Sequence, residues 1–449
     1  MYGVIDIGST RSKFFIYTRE GEQVYSERVT IPVREDGTHD GEVIYRVVKH
    51  FVAKARERGV KLIGLSTYRA SVLAWRRDGT PVTPVLTWLY RPRLRYGLLS
   101  KLPSLGVVFS PISPLLKIIE LYKMTQNCRD CLIWTLESYL IYRLTGKFVS
   151  DATNATMTGI IHPKNFKLIP LVETISGIEI ELPEIVENIW EYGDVDGVSL
   201  RVVIADQQAA AVGEGAVRAG VAKATFGTGL FVDVPTGEYK RVGGLIPLVI
   251  LKYKRTVYRG VEGYLPAAGL VFEKMREWGI FEDFNKLDEY VDFANVDLFV
   301  LPALAGLQVP PFYWARGAII GLTPYTDRRE IISAHVVALA SFVKYVLDRS
   351  GENVHEVKIN GGLSRFDKLV QCLSEIVGVK VTRNRDFEGT ARGVAVLLSV
   401  YEGSGKIGDV YGVEEEFQPL NRYNCARLYS RWSKKMRRLR SLKKLFQEG

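Results

Sequence analysis

Near the start of the chain, Asp6, Gly8, Ser9, Thr10 and Lys13 fall within one short stretch, and their types suit a phosphate group. Gly8 lets the backbone approach closely, Ser9 and Thr10 add hydroxyl donors, Lys13 brings a cation, and Asp6 can bind a divalent metal directly or through water. A second glycine- and hydroxyl-bearing turn, Gly227-Thr228-Gly229, repeats the donors far along the chain. A third constellation, Ile204-Ala205-Asp206-Gln207-Gln208-Ala209, sets an acid and two amides where an apolar run passes into an alanine-rich one. Asp206 reads equally well as a helix N-cap and as a base that takes a proton from a hydroxyl oriented by Gln207. A single glycine turn more often only reverses the chain, so the signal lies in the pair.

The elements that must carry these residues follow from periodicity. Gly3 to Tyr17 reads as a hairpin: an apolar strand ends at Asp6, breaks at Gly8-Ser9-Thr10 and resumes at Phe14. Val221 to Val234 has the same design around Gly227-Thr228-Gly229, so one supersecondary unit is used at the start of each half. Helices are predicted over 45–58, 132–144, 207–217, 269–278, 331–350 and 366–377, with strands at 62–66 and 357–360. This is a βα alternation around mixed sheets. At 449 residues the chain is too long for one core, and the repeat predicts two domains, 1–214 and 215–449.

Composition narrows the class. A hydrophobic share of 47% with 24% charged residues fits a globular protein. The start, MYGVIDIGST, enters a strand without a basic leader, and no apolar run reads as long enough to cross a bilayer, so a cytoplasmic location is expected. Four cysteines suit a reducing compartment; Cys128 and Cys131 lack the second pair that a zinc site needs, and read as packing or an incidental disulfide. The net charge of +10 lies almost wholly from Arg422 onward, where Leu428, Trp432, Met436, Leu439, Leu442 and Phe446 also form one apolar stripe. That pattern predicts a terminal helix docked on the body with a solvated basic face, not a nucleic-acid or membrane surface.

The motifs DIGSTRSKFF, STYRASVLAW, VSDATNAT, ADQQAAAVGEG, KATFGTG, PALAGLQVPPFYWARGAIIGLT and INGGLSRF stand in an order that resembles the FGGY family of carbohydrate kinases, with a central block similar to glycerol kinases. The resemblance runs over nearly the whole chain. It implies an α/β fold of two ribonuclease-H-like domains of the actin-like ATPase type with an interdomain cleft, using ATP and Mg2+ to phosphorylate a small-molecule polyol or sugar. Carried over by position, it implies Asp206 as general base and magnesium neighbour, with Gln207 on the acceptor and Asp6 on the metal. Ser9, Thr10 and Lys13 meet the transferring phosphate. Gly227, Thr228 and Gly229 meet the nucleotide phosphates, with Gly269, Glu273, Gly362 and Phe366 around the adenosine. Arg69, Trp88 and Phe231 line the acceptor pocket.

Departures gather at the acceptor. The glutamate that follows the pocket arginine in glycerol kinases is Ala70 here, Ser110-Pro111-Ile112-Ser113 stands where a tyrosine is customary, Phe366 replaces an asparagine, and a late helical acid is Val337. Losing charge-assisted hydrogen bonds of this kind costs roughly 1.5–3 kcal/mol each. Glycerol, a ketose such as xylulose, and an anionic or phosphorylated polyol held by Arg91, Arg93 and Arg95 all stay open, as do a nucleotide-binding regulator without turnover and an actin- or chaperone-like assembly protein. A homodimer is compatible with the sequence; no nucleic-acid or membrane partner is expected.

Overall fold

The computed structural model describes residues 1–93, 113–126, 128, 130–307, 309 and 315–438. Arg95, Ser110-Pro111-Ile112, Leu439, Leu442, Phe446 and part of the PALAGLQVPPFYWARGAIIGLT motif lie outside them. The first hairpin forms as expected: β1 (Tyr2–Ile7) pairs antiparallel with β2 (Arg11–Tyr17), setting Asp6 opposite Lys13. β2 continues into β3 (Gln23–Thr30), while β1 runs parallel to β4 (Leu62–Thr67). β4 in turn runs parallel to β6 (Val198–Ala205), whose other edge takes β5 (Ile189–Val195) antiparallel. The sheet order is therefore β3-β2-β1-β4-β6-β5.

The second hairpin builds the same arrangement. β7 (Val221–Phe226) pairs antiparallel with β8 (Leu230–Pro235), and β8 with β9 (Thr256–Leu265). On its other side β7 runs parallel to β10 (Glu356–Asn360), β10 parallel to β11 (Lys380–Asn384), and β11 antiparallel to β12 (Glu414–Phe417). These strands stand in the order β9-β8-β7-β10-β11-β12. Their directions repeat those of the first sheet, so the duplication is visible in topology and not only in the turn residues.

Two compact units result. The first holds Met1–Val217 together with Leu248–Arg259 and Glu388–Gly412; the second holds Arg218–Pro247, Gly260–Phe387 and Val413–Gly449. In the first, α1 (Gly41–Glu57) is capped by Asp40, whose carboxylate accepts from the amides of Glu42 and Val43. Its buried Ile44, Val48, Phe51 and Val52 face the core. α2 (Pro114–Met124) and α3 (Asp206–Gly213) follow. The predicted helix over 132–144 starts later than expected: Cys131–Thr135 is a strand, pairing with Val72–Arg76, and the helix is Leu136–Thr145. The β-branched and aromatic run Ile133-Trp134-Thr135 favours the strand.

The second unit carries α4 (Gly269–Glu277), α5 (Arg328–Ser350) and α6 (Asp367–Val377). α5 corrects one expectation, because it is long and apolar enough to cross a bilayer. Of its most apolar window 78% is buried inside the protein, which identifies a core helix. All four cysteines are paired, Cys128 with Cys131 and Cys372 with Cys425, and the second pair was not anticipated.

α7 (Gly389–Glu402) returns to the first unit and crosses α3 at backbone distance. A β-carbon on Gly393 would overlap the carbonyl oxygen of Ala209, and one on Gly213 the carbonyl oxygen of Gly389. Beside the crossing, Arg392 and Glu214 form an ion pair of 2.5 Å with both side chains buried. In the second unit the terminal helix α8 (Cys425–Arg438) docks through Trp432, whose indole donates to the Val300 carbonyl at 2.9 Å, and through Met436.

Gly393→Ala must push α7 off α3 and should lower the unfolding free energy by about 1–3 kcal/mol, measured by urea denaturation. A pH effect is expected from His335, buried on α5 with its Nδ1 against the Ile331 carbonyl at 2.8 Å and pushed down to about 4 by that burial. The unfolded chain, with a histidine near 6.5, takes up that proton first, so this stabilisation is full above about pH 6.5 and is lost as pH falls toward 4. His335→Gln should flatten the pH dependence of unfolding in that window by one proton's worth, about 1.4 kcal/mol per pH unit.

Candidate active site

Asp206 is the first residue of α3, and the N-cap is Ala205, which offers no side-chain cap. The aspartate is thus not spent as a helix cap. Its side chain is 28% exposed, and Oδ1 lies 3.8 Å from Nε of the buried Arg69. Oδ1 also accepts from the Gln207 amide at 2.7 Å, and Gln207 is part-exposed beside it. The turn is held from behind: Thr153 Oγ1 accepts from the Ala205 amide at 2.9 Å, and Thr390 Oγ1 donates to the Asp206 carbonyl at 3.3 Å. Thr153 belongs to the VSDATNAT segment, where Asp151 caps the short helix Ala152–Met157 and accepts from Asn188 Nδ2 at 2.9 Å.

The first hairpin turn brings Asp6, Gly8, Ser9, Thr10 and Lys13 together. Gly8 is required by closeness, since a β-carbon there would sit 2.5 Å from the Arg11 carbonyl oxygen. Ser9 is part-exposed and Thr10 exposed at the turn. Lys13 Nζ is engaged by Glu388 Oε2 at 2.6 Å, and Glu388 also faces Arg28 at 3.4 Å. Burial pushes the Asp6 carboxyl up to about 7; Lys13 opposes the rise, and the negative charges of Asp206 and Glu388 add to it.

That crowding bears on a metal. Among the described residues no group of three or more His, Cys, Asp or Glu side chains is gathered as a full ligand set. A desolvated Asp6 and a part-exposed Asp206 whose charges oppose each other do fit a magnesium ion, which takes few protein ligands and keeps waters and phosphate oxygens.

Arg69, the arginine expected at the acceptor, sits in a loop of unusual geometry. Ala70 has a φ of 60°, the left-handed region that an alanine adopts only at a cost. Tyr68, just before Arg69, has its hydroxyl 2.7 Å from Nδ1 of the buried His39. Trp88 is part-exposed on the loop after the strand Val85–Leu86. Arg91 Nη1 donates to the carbonyls of Trp88 at 3.1 Å and Leu89 at 3.3 Å.

In the second unit the turn at Gly227-Thr228-Gly229 closes onto the start of α4. The Ala268 amide donates to the Thr228 carbonyl at 2.8 Å and the Gly269 amide to the Gly227 carbonyl at 3.0 Å. Thr228 is exposed on this turn, with Gly229 and Gly269 buried and Glu273 exposed on α4. Gly362 is exposed after β10. Phe366 is not: it lies in the core, edge-on to Phe284 with ring centroids 5.5 Å apart, so it offers no open face for stacking. Phe231 belongs to this unit as well and stacks on Tyr264 at 5.7 Å, whereas Arg69, Trp88, Asp206 and Gln207 belong to the first.

Sequence reasoning missed Glu388, Thr153 and Thr390. Glu388 had one available signal, an acid directly before the Gly389 to Gly393 spacing that opens α7.

The duplicated sheets define a protein of the actin-like ATPase fold, and solved structures share it. The chain superposes on Plasmodium falciparum glycerol kinase with ADP at a TM-score of 0.84, with 23% identity and 98% of each chain covered. It superposes on ligand-bound xylulose kinase from Lactobacillus acidophilus at 0.86, with 18% identity and 100% of each covered. In sequence it is 26% identical to glycerol kinase from Coxiella burnetii over 96% of both chains. Residues 222–401 match the FGGY family of carbohydrate kinases, C-terminal domain, and over nearly its whole length the chain is similar to phosphotransferases of that kind.

Glu388→Gln removes a negative charge beside Asp6 and loosens its hold on Lys13, both of which favour the ionised carboxylate. The Asp6 titration, followed by carboxyl carbon NMR, should therefore move down from about 7. An unchanged midpoint would show that Glu388 takes no part in setting it.

Proposed function

We propose that this carbohydrate kinase transfers the terminal phosphate of ATP to a hydroxyl of a small polyol or sugar, with Asp206 as the general base. The observation that carries the reading is the Asp206 carboxylate, solvent-accessible at the first turn of α3 and within ion-pair distance of Arg69. There it can accept the proton of an attacking hydroxyl while Arg69 and Gln207 orient the acceptor. Asp6 and Asp206 would hold the magnesium ion, which when bound neutralises charge on the phosphate oxygens. Ser9, Thr10 and Lys13 supply donors to the transferring group. Since Lys13 is engaged by Glu388, it must exchange that partner for phosphate. Gly227, Thr228 and Gly229 take the nucleotide phosphates, with Gly269, Glu273 and Gly362 toward the adenosine. Phe366 contributes packing behind that site.

A second acceptor class has specific support. Ala70 removes the acid that would repel an anion, and the Arg91 guanidinium spends its bonds on neutral carbonyls, keeping its charge available to an acidic or phosphorylated acceptor.

The test is a panel of polyols, ketoses, aldonates and their monophosphates, scored by ADP release with magnesium. One acceptor class should stimulate release strongly. Asp206→Ala should lower kcat on it by at least about 1,000-fold while nucleotide binding persists. Turnover surviving in that variant would remove Asp206 from the mechanism.

A further inference from the structure

Lys117 on α2 is fully buried, yet its ammonium meets no carboxylate among the described residues. It donates instead to two backbone carbonyls, that of Ala70 at 3.0 Å and that of Thr87 at 2.5 Å. Burial and the charge of Arg91 push it down to about 7, as expected of a cation without an acid partner. The two carbonyls sit one residue from Arg69 and one residue from Trp88, on loops that are separate in sequence. Leu115, Leu116 and Ile118 around the lysine are buried as well, so a carbonyl that lost this donor would have little water to replace it. Thr87 is fixed further by its hydroxyl, which donates to the Gly37 carbonyl at 2.5 Å.

We infer that Lys117 is a positioning residue for acceptor recognition: one buried ammonium ties the Arg69-Ala70 loop to the Thr87-Trp88 loop and so sets the spacing of the arginine and the aromatic wall. The left-handed backbone at Ala70 supports this. That conformation is costly for alanine, and the bond from Lys117 to the Ala70 carbonyl holds it. The inference rests on the proposed acceptor role of Arg69 and Trp88, but the tie itself is testable without that role.

Lys117→Met keeps the length of the side chain and removes all its donors; Lys117→Gln keeps a shorter donor and serves if the first variant does not fold. Hydrogen exchange should speed up ~10-fold or more in peptides covering residues 68–72 and 86–90, with β1 and β4 unchanged. With whichever of glycerol, D-xylulose or D-gluconate the wild type consumes best, KM for that acceptor should rise ~10-fold or more while KM for ATP stays within about twofold. A merely structural lysine would move neither the loops selectively nor one KM alone. Unchanged exchange in those peptides, or a rise in both KM values together, overturns the proposal. If none of the three compounds is consumed, exchange alone decides it. Failure of the acceptor reading looks different: Arg69→Ala would leave acceptor KM unchanged whatever Lys117 does.

Discussion

The backbone contact between α3 and α7 is the constraint on which the first unit depends. Gly213 and Gly393 have no side chains because the facing carbonyl oxygens of Gly389 and Ala209 occupy that space. At such a distance neither helix can slide or rotate without collision, so the start of α3 is fixed, and Asp206 with it. The buried Arg392–Glu214 pair locks the register, since shifting either helix would strand a charge in the core. The bond from Thr390 to the Asp206 carbonyl adds a direct tie to the aspartate's own backbone.

Around this fixed point the charges are arranged under tension. The carboxyl groups of Asp6, Asp206 and Glu388 act on one another, with Lys13 and Arg28 facing Glu388 and Arg69 facing Asp206. A protein built only for stability would avoid such crowding. Under the proposed function it would serve, because a cation would find carboxylates already gathered and the lysine could change partners.

Much of this was legible in the sequence for identifiable reasons. The hairpins at residues 3–17 and 221–234 announce themselves through turn residues between apolar runs, and the sheets confirm both. Asp206 is ambiguous between cap and base because N-cap and first-turn positions differ by one residue, below the resolution of pattern reading. The return of residues 388–412 to the first unit was not legible: the run is apolar on most faces, and only the Gly389 to Gly393 spacing, with Ala209 and Gly213 at the same interval, hints at a partner. Phe366 stands where the resemblance implies an asparagine near the adenosine, but an aromatic ring beside Phe284 gains more by burial. The Ala70 backbone and the Lys117 tie depend on contacts between distant segments, which no local pattern encodes.

The discontinuity of the first unit also shapes how the chain can mature. While synthesis has reached only residue 217, α3 exists without α7, and its glycine and alanine face has nothing to lie against. Most of the second unit must emerge before the segment that covers that surface, Glu388–Gly412, is made. The unit begun first is thus among the last parts to be completed, and a nascent chain cannot present a finished Asp206 until nearly the whole polypeptide has been made.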